Sequence, residues 1–239
     1  MALPKLTTPT YELEIPSTDE KISYRPFLVK EEKILLMAME SGKNEDIVNA
    51  VKQIVSECTF NKLKVGSMPM FDIEYIFLNI RAKSIGEVSK LKLLCPDDKK
   101  TFADVEVDLS KVDVHVDDEH NNKIVVDEKK NISVLMRYPT INSVDPTKDY
   151  SKGADTKTLF SVISDGIYQI YEGDKVHMSS DYKKEELEQF VESLDGLSFK
   201  KIQRFYETMP KLMHEVEIEN PKTKVKSKIT LSGLSDFFG

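Results

Sequence analysis

Residues 69–109, PMFDIEYIFLNIRAKSIGEVSKLKLLCPDDKKTFADVEVDL, change texture in mid-stretch. Pro69 suits a first helical turn, and Ile73, Ile76, Phe77 and Ile80 then recur at helical spacing. Past Gly86 the period becomes that of a strand. Val88, Leu91 and Leu93 lead to a turn at Pro96-Asp97-Asp98-Lys99-Lys100, after which Phe102, Val105, Val107 and Leu109 are separated by acids. Glu87 to Leu109 is therefore expected to be a hairpin. A helix running directly into antiparallel strands reads as α+β.

Upstream, Tyr11, Leu13 and Ile15 alternate with acids, and after Pro16-Ser17-Thr18-Asp19 the alternation resumes at Ile22, Tyr24 and Pro26, a second hairpin signal. From Lys30 a helix is expected, with Leu35, Leu36 and Met39 on one face, Glu31, Glu32, Lys33 and Glu40 elsewhere, and a stop at Gly42. Asn44 to Cys58 repeats the helical stripe through Ile47, Val51, Ile54, Val55 and Cys58. Downstream, Val112–Val116, Lys123–Val126 and Ile132–Tyr138 are expected to extend the sheet. The polar run from Asp145 to Thr156 reads as a boundary. Beyond it a helix is expected through Leu159, Phe160, Ile163, Ile167, Ile170 and Tyr171. A charged helix from Tyr182 to Leu194, closed by Gly196, follows, then a helix from Phe199 to Thr208. Last comes a hairpin from Val216–Ile218 to Val225–Leu231. The expected organisation is an N-terminal α+β unit, residues 1–147, with a hairpin, three helices and an antiparallel sheet. A helical C-terminal unit, residues 148–239, ends in a hairpin.

A chain of 239 residues, 40% of them hydrophobic, can bury one large or two modest cores. Its net charge of -7 offers no general attraction to nucleic acid, and the lysines at 222, 224, 226 and 228 read as one solvated hairpin face. Cys58 and Cys95 sit in unlike settings and fit a reducing compartment better than a disulfide scaffold. The N-terminus lacks a signal-like apolar run and no stretch is long enough to span a membrane, so synthesis and folding in cytoplasm are expected.

Catalytic chemistry has little to build on. The four histidines, His115, His120, His177 and His214, lie in no signature context, and no nucleophile elbow is present. Lys152-Gly153-Ala154-Asp155-Thr156-Lys157-Thr158 lacks the second glycine of a phosphate loop. His115, Asp117, Asp118, Glu119 and His120 gather potential ligands in one stretch, leaving a metal-dependent binding module as a remote alternative to a solvated acidic turn. Neither a catalytic residue, a cofactor nor a metal site is expected.

The sequence closes on Gly233-Leu234-Ser235-Asp236-Phe237-Phe238-Gly239, three large apolar side chains that must dock into the protein's own core or into a partner. Arg25, Lys30 and Arg81 offer cations on an acidic body, for internal pairing or for an interface. With Leu234, Phe237 and Phe238 they form the candidate partner-binding set. The enzyme case rests on nothing positive, and an interaction protein is expected.

Several stretches together carry a family likeness: Tyr24-Arg25-Pro26-Phe27-Leu28-Val29-Lys30-Glu31-Glu32-Lys33, Cys58-Thr59-Phe60, Phe71 to Leu78, Arg81 to Glu87, Tyr138-Pro139 and the terminal Gly-Leu-Ser-Asp-Phe-Phe. In their order and spacing the chain resembles the baseplate hub protein family of T-even-like contractile-tailed bacteriophages. The resemblance implies a non-enzymatic protein that promotes assembly of the central hub, or a resident minor hub subunit. It implies hub, spike and tape measure proteins as partners, in the host cytoplasm during assembly or in the virion tail. Some members carry Cys-x-x-Cys at the second hairpin's tip; Cys95 and Asp98 depart from that pattern.

Overall fold

The computed structural model describes residues 7–143 and 156–237. It is α+β, as the change of period indicates. Strands β1 (Tyr11–Glu14) and β2 (Lys21–Tyr24) pair antiparallel, with Leu13 opposite Ile22. Helices α1 (Val29–Ser41), α2 (Asn44–Cys58) and α3 (Met70–Ile85) follow. Gly42 ends α1 in the left-handed conformation, φ 65°, which costs glycine little. Cys58 is fully buried, as its place on the apolar stripe of α2 requires.

The hairpin after Gly86 is β3 (Val88–Leu94) with β4 (Phe102–Asp108), paired in register from Val88↔Asp108 to Leu94↔Phe102. The later strands do not extend it. Strand β5 (Asp113–His115) joins β10 (Lys211–Glu219) and β11 (Lys226–Ser232) in the order β11-β10-β5, whereas β6 (Lys123–Asp127), β7 (Ile132–Met136), β8 (Ile167–Glu172) and β9 (Lys175–Met178) form a sheet in sequence order. The remaining helices are α4 (Thr156–Gly166), α5 (Lys184–Glu192) and α6 (Gly196–Thr208).

Two details of the later elements correct the sequence reading. The helical spacing through Tyr171 breaks at Gly166, and Ile167 to Glu172 is a strand. Gly196 does not close α5 but opens α6, because Asp195 caps that helix by accepting the Ser198 amide at 2.7 Å, as an N-cap carboxylate does.

The chain forms two compact units, and they do not follow a linear division at 147/148. One comprises Met1–His115 with Lys211–Gly239, the other Val116–Pro210. The reason is strand pairing: Lys211 sits opposite His115, so β10 returns beside β5 after the whole second unit has been traced. The polar boundary expected from Asp145 lies outside the described residues, except for Thr156 at the start of α4.

In the first unit Leu78 and Ala82 of α3 pack with Leu91, Val107, Leu212, Val216, Leu231 and Phe237. In the second, Ile163 of α4, Val191 of α5, and Ile202 and Phe205 of α6 cover Ile124, Val134, Met136 and Ile167 of the sheet. Gly166 is dictated by that packing, since a Cβ there would fall inside contact distance of the Tyr206 hydroxyl and 3.0 Å from the Met136 methyl.

Candidate interaction surfaces

The terminal segment is docked within its own unit. Gly233, at φ 73°, donates its amide to Leu212 at 3.0 Å and turns the chain back over α3. The Leu234 amide then donates to Glu74, and the Ser89 hydroxyl donates to the Phe237 carbonyl at 3.1 Å. Phe237 has no exposed surface, a burial that stabilises by roughly 1.5–3 kcal/mol. Leu234 is half-buried against the same core. Phe238 lies outside the described residues.

The cationic candidates divide. Arg25 donates to the fully buried Glu31 carboxylate at 2.7 Å, and Lys30, at the surface, reaches both Glu31 at 3.1 Å and Glu57 at 2.9 Å. Glu31 also accepts the Leu28 amide at 2.8 Å, closing the first turn of α1. Burial would raise its pKa, but the Arg25 hydrogen bond, the Leu28 amide and Lys30 outweigh that and hold it at about 2, because each favours the charged form. Arg81 is half-buried, and desolvation pulls its pKa down.

The histidine stretch does not gather into a ligand set. Both His120 nitrogens are engaged, Nδ1 with Thr208 Oγ1 at 3.0 Å and Nε2 with the Tyr138 hydroxyl at 2.9 Å. Thr208 gives its own proton to the Arg204 carbonyl, so Nδ1–H donates to Thr208 and Nε2 accepts from Tyr138. Desolvation lowers the His120 pKa, and the ring joins Tyr138 and Phe205 in a cluster of three mutually touching rings. Among the described residues no three His, Cys, Asp or Glu side chains converge on a point that could hold a metal.

At the second hairpin's tip Asp98 accepts the Thr101 hydroxyl at 2.6 Å and the Lys100 and Thr101 amides at 3.0 Å. Its neighbour Asp97 accepts from Asn220 at 2.9 Å and Thr223 at 2.6 Å, stapling this tip to the β10–β11 turn. Cys58 and Cys95 are buried free thiols, and desolvation pushes Cys58 up to about 11, far from the reactive thiolate range.

A family model described as T4 bacteriophage base plate protein matches residues 8–239. The chain belongs to that family. No curated protein and no solved structure matches it. No helix among the described residues is long and apolar enough to cross a membrane.

What this base plate protein offers to solvent is a set of apolar side chains that the sequence reading did not single out. On the outward face of β3–β4, Phe102 is 58% exposed and sits directly opposite exposed Leu94, while Val88 is exposed at the far end of the hairpin. Between them Lys90 pairs with Glu106 at 3.3 Å. The signal was present in the strand period, since Val88 shares its phase with Lys90 and Lys92 rather than with buried Leu91. On α1, Val29, Leu36, Met37 and Met39 are exposed, and of Leu35, Leu36 and Met39, which the spacing groups on one face, Leu35 alone is half-buried. The helix is anchored instead through Glu31 and Ala38.

Proposed function

We propose that this base plate protein promotes assembly of the central hub of a contractile phage tail through protein–protein contact and catalyses no reaction. The observation that carries the reading is the exposed cross-strand pair of Leu94 and Phe102 on a hairpin whose other face is core, because apolar groups held outward on a rigid element suit docking to another polypeptide. The polar clusters that might have done chemistry are satisfied internally, which supports the same reading. Within the expected contact set, Leu234, Lys30 and Arg81 retain surface that a partner can reach. Arg25 and Phe237 hold the structure beneath them. Hub, spike and tape measure proteins are the partners this reading implies, met in the host cytoplasm during assembly.

The test combines purified hub components with and without the protein and follows hub formation, using a Leu94→Lys, Phe102→Glu variant as the comparison. Hub yield should rise with the natural protein and fall back with the variant, while the variant's melting temperature stays within the range of ordinary surface changes. Equal hub yield with and without the protein would remove the proposal. Mass spectrometry of finished tails separates its two forms: absence marks an assembly factor, stoichiometric presence a resident subunit.

A further inference from the structure

Helix α1 is apolar on opposite sides. Its inner side, Glu31, Ile34, Leu35 and Ala38, meets α2, with Glu31 and Ala38 buried and the other two half-buried. At 3.6 residues per turn the opposite side carries Val29, Lys33, Leu36 and Glu40, flanked by Met37 and Met39. Val29, Leu36, Met37 and Met39 are 79%, 53%, 58% and 52% exposed. A surface helix normally opposes its apolar stripe with polar residues alone, whereas here exposed Leu36 and Met37 accompany Lys33 and Glu40, a mixture that suits a second neighbour. Among the described residues Lys33 and Glu40 enter no ion pair. They lie about 10 Å apart along the helix, too far to neutralise each other.

We propose that this face is covered by α1 of a second copy of the chain, lying antiparallel about a two-fold axis that passes between Leu36 and Met37. One operation then pairs the middle of the surface. Leu36 packs against Met37 of the second copy and Met37 against its Leu36, while Lys33 faces Glu40 of the second copy and Glu40 faces its Lys33. An isologous contact of this kind closes on itself and makes a dimer rather than a filament. A parallel arrangement would instead oppose Lys33 to Lys33. Helix α1 has 13 residues. At the α-helical rise they make a contact about 20 Å long, small for a specific interface, so self-association in the micromolar range is expected. The inference does not rest on the hub reading, which concerns the β3–β4 face.

Sedimentation velocity on the full chain over a wide concentration range tests it. The natural protein should show a concentration-dependent dimer, and Leu36→Glu should weaken self-association roughly 100-fold by placing a charge at the centre of the contact. Circular dichroism and melting should be unchanged, because the site is exposed. Lys33→Glu and Glu40→Lys should each be monomeric alone, should form a one-to-one heterodimer when mixed, and should dimerise again when both reversals are on one chain. A natural protein that stays monomeric at every concentration overturns the proposal, even if the same face then binds another tail protein. A dimer that Leu36→Glu and the charge reversals leave intact overturns it equally.

Discussion

Glu31 holds a negative charge where water does not reach, and three donors, Arg25, Lys30 and the Leu28 amide, keep it there. Removing the charge strands the Arg25 guanidinium, itself largely buried, so Glu31→Gln should cost about 3 kcal/mol in chemical denaturation at neutral pH. The pH dependence has a definite sign. The folded pKa of about 2 lies below the ordinary 4.5, so between those values the unfolded chain binds more protons than the folded one. The stabilisation is complete above about pH 4.5 and drains away as pH falls toward 2. The stability gap between natural protein and Glu31→Gln should therefore narrow across that window. An equal gap at both ends would show that the carboxylate charge is not what matters. None of this was visible in the sequence, where Glu31 was one acid in a charged run. The pairing of Arg25 with an acid was one of two open readings, and its burial depends on contacts that a local pattern does not encode.

The turn from α4 into β8 is set by Gly166, which lets Tyr206 of α6 cross close to the backbone and donate its hydroxyl to the Val162 carbonyl at 3.1 Å. Gly166→Ala should cost roughly 1–3 kcal/mol by overpacking. If the clash is with that hydroxyl, Gly166→Ala should cost less in a Tyr206→Phe background, and thermal melts of the four proteins of the cycle decide it. Strictly additive effects would place the strain elsewhere. The same turn marks where the sequence could mislead. Ile163, Ile167 and Ile170 fit a helical stripe, and nothing local says that the stripe stops after Gly166. The hairpin from Glu87 to Leu109 was legible because alternation and a turn agree there along its whole length. The outward face of α1 was not, because a helix apolar on both sides gives no local reason to prefer one as inner. Spacing groups Leu35, Leu36 and Met39 on one face and sets Glu31 apart from them, whereas in the fold Leu36 and Met39 are exposed and Glu31, a charged residue, takes a core position.

The second unit, Val116–Pro210, occupies the sequence between two strands that are neighbours, with His115 and Lys211 directly paired where it leaves and returns. Each unit has its own core, so a chain in which residues 116–210 are replaced by a short turn should keep the first unit folded, with cooperative melting and protected amides in β10. Loss of cooperative melting in that chain would show that the first core does not stand alone. Linear reading could not find this division, since a boundary search looks for one polar gap while a discontinuous unit has two junctions, both inside strand-rich sequence. The arrangement also sets an order of events during synthesis. When β5 leaves the ribosome its pairing partner has not yet been made, and Phe237, which plugs the same core, comes later still. The inserted unit can complete itself first, while the half of the protein begun earliest waits for residues translated after the insert. A chain cut short between Pro210 and β11 would carry the whole insert attached to an open, oily α3.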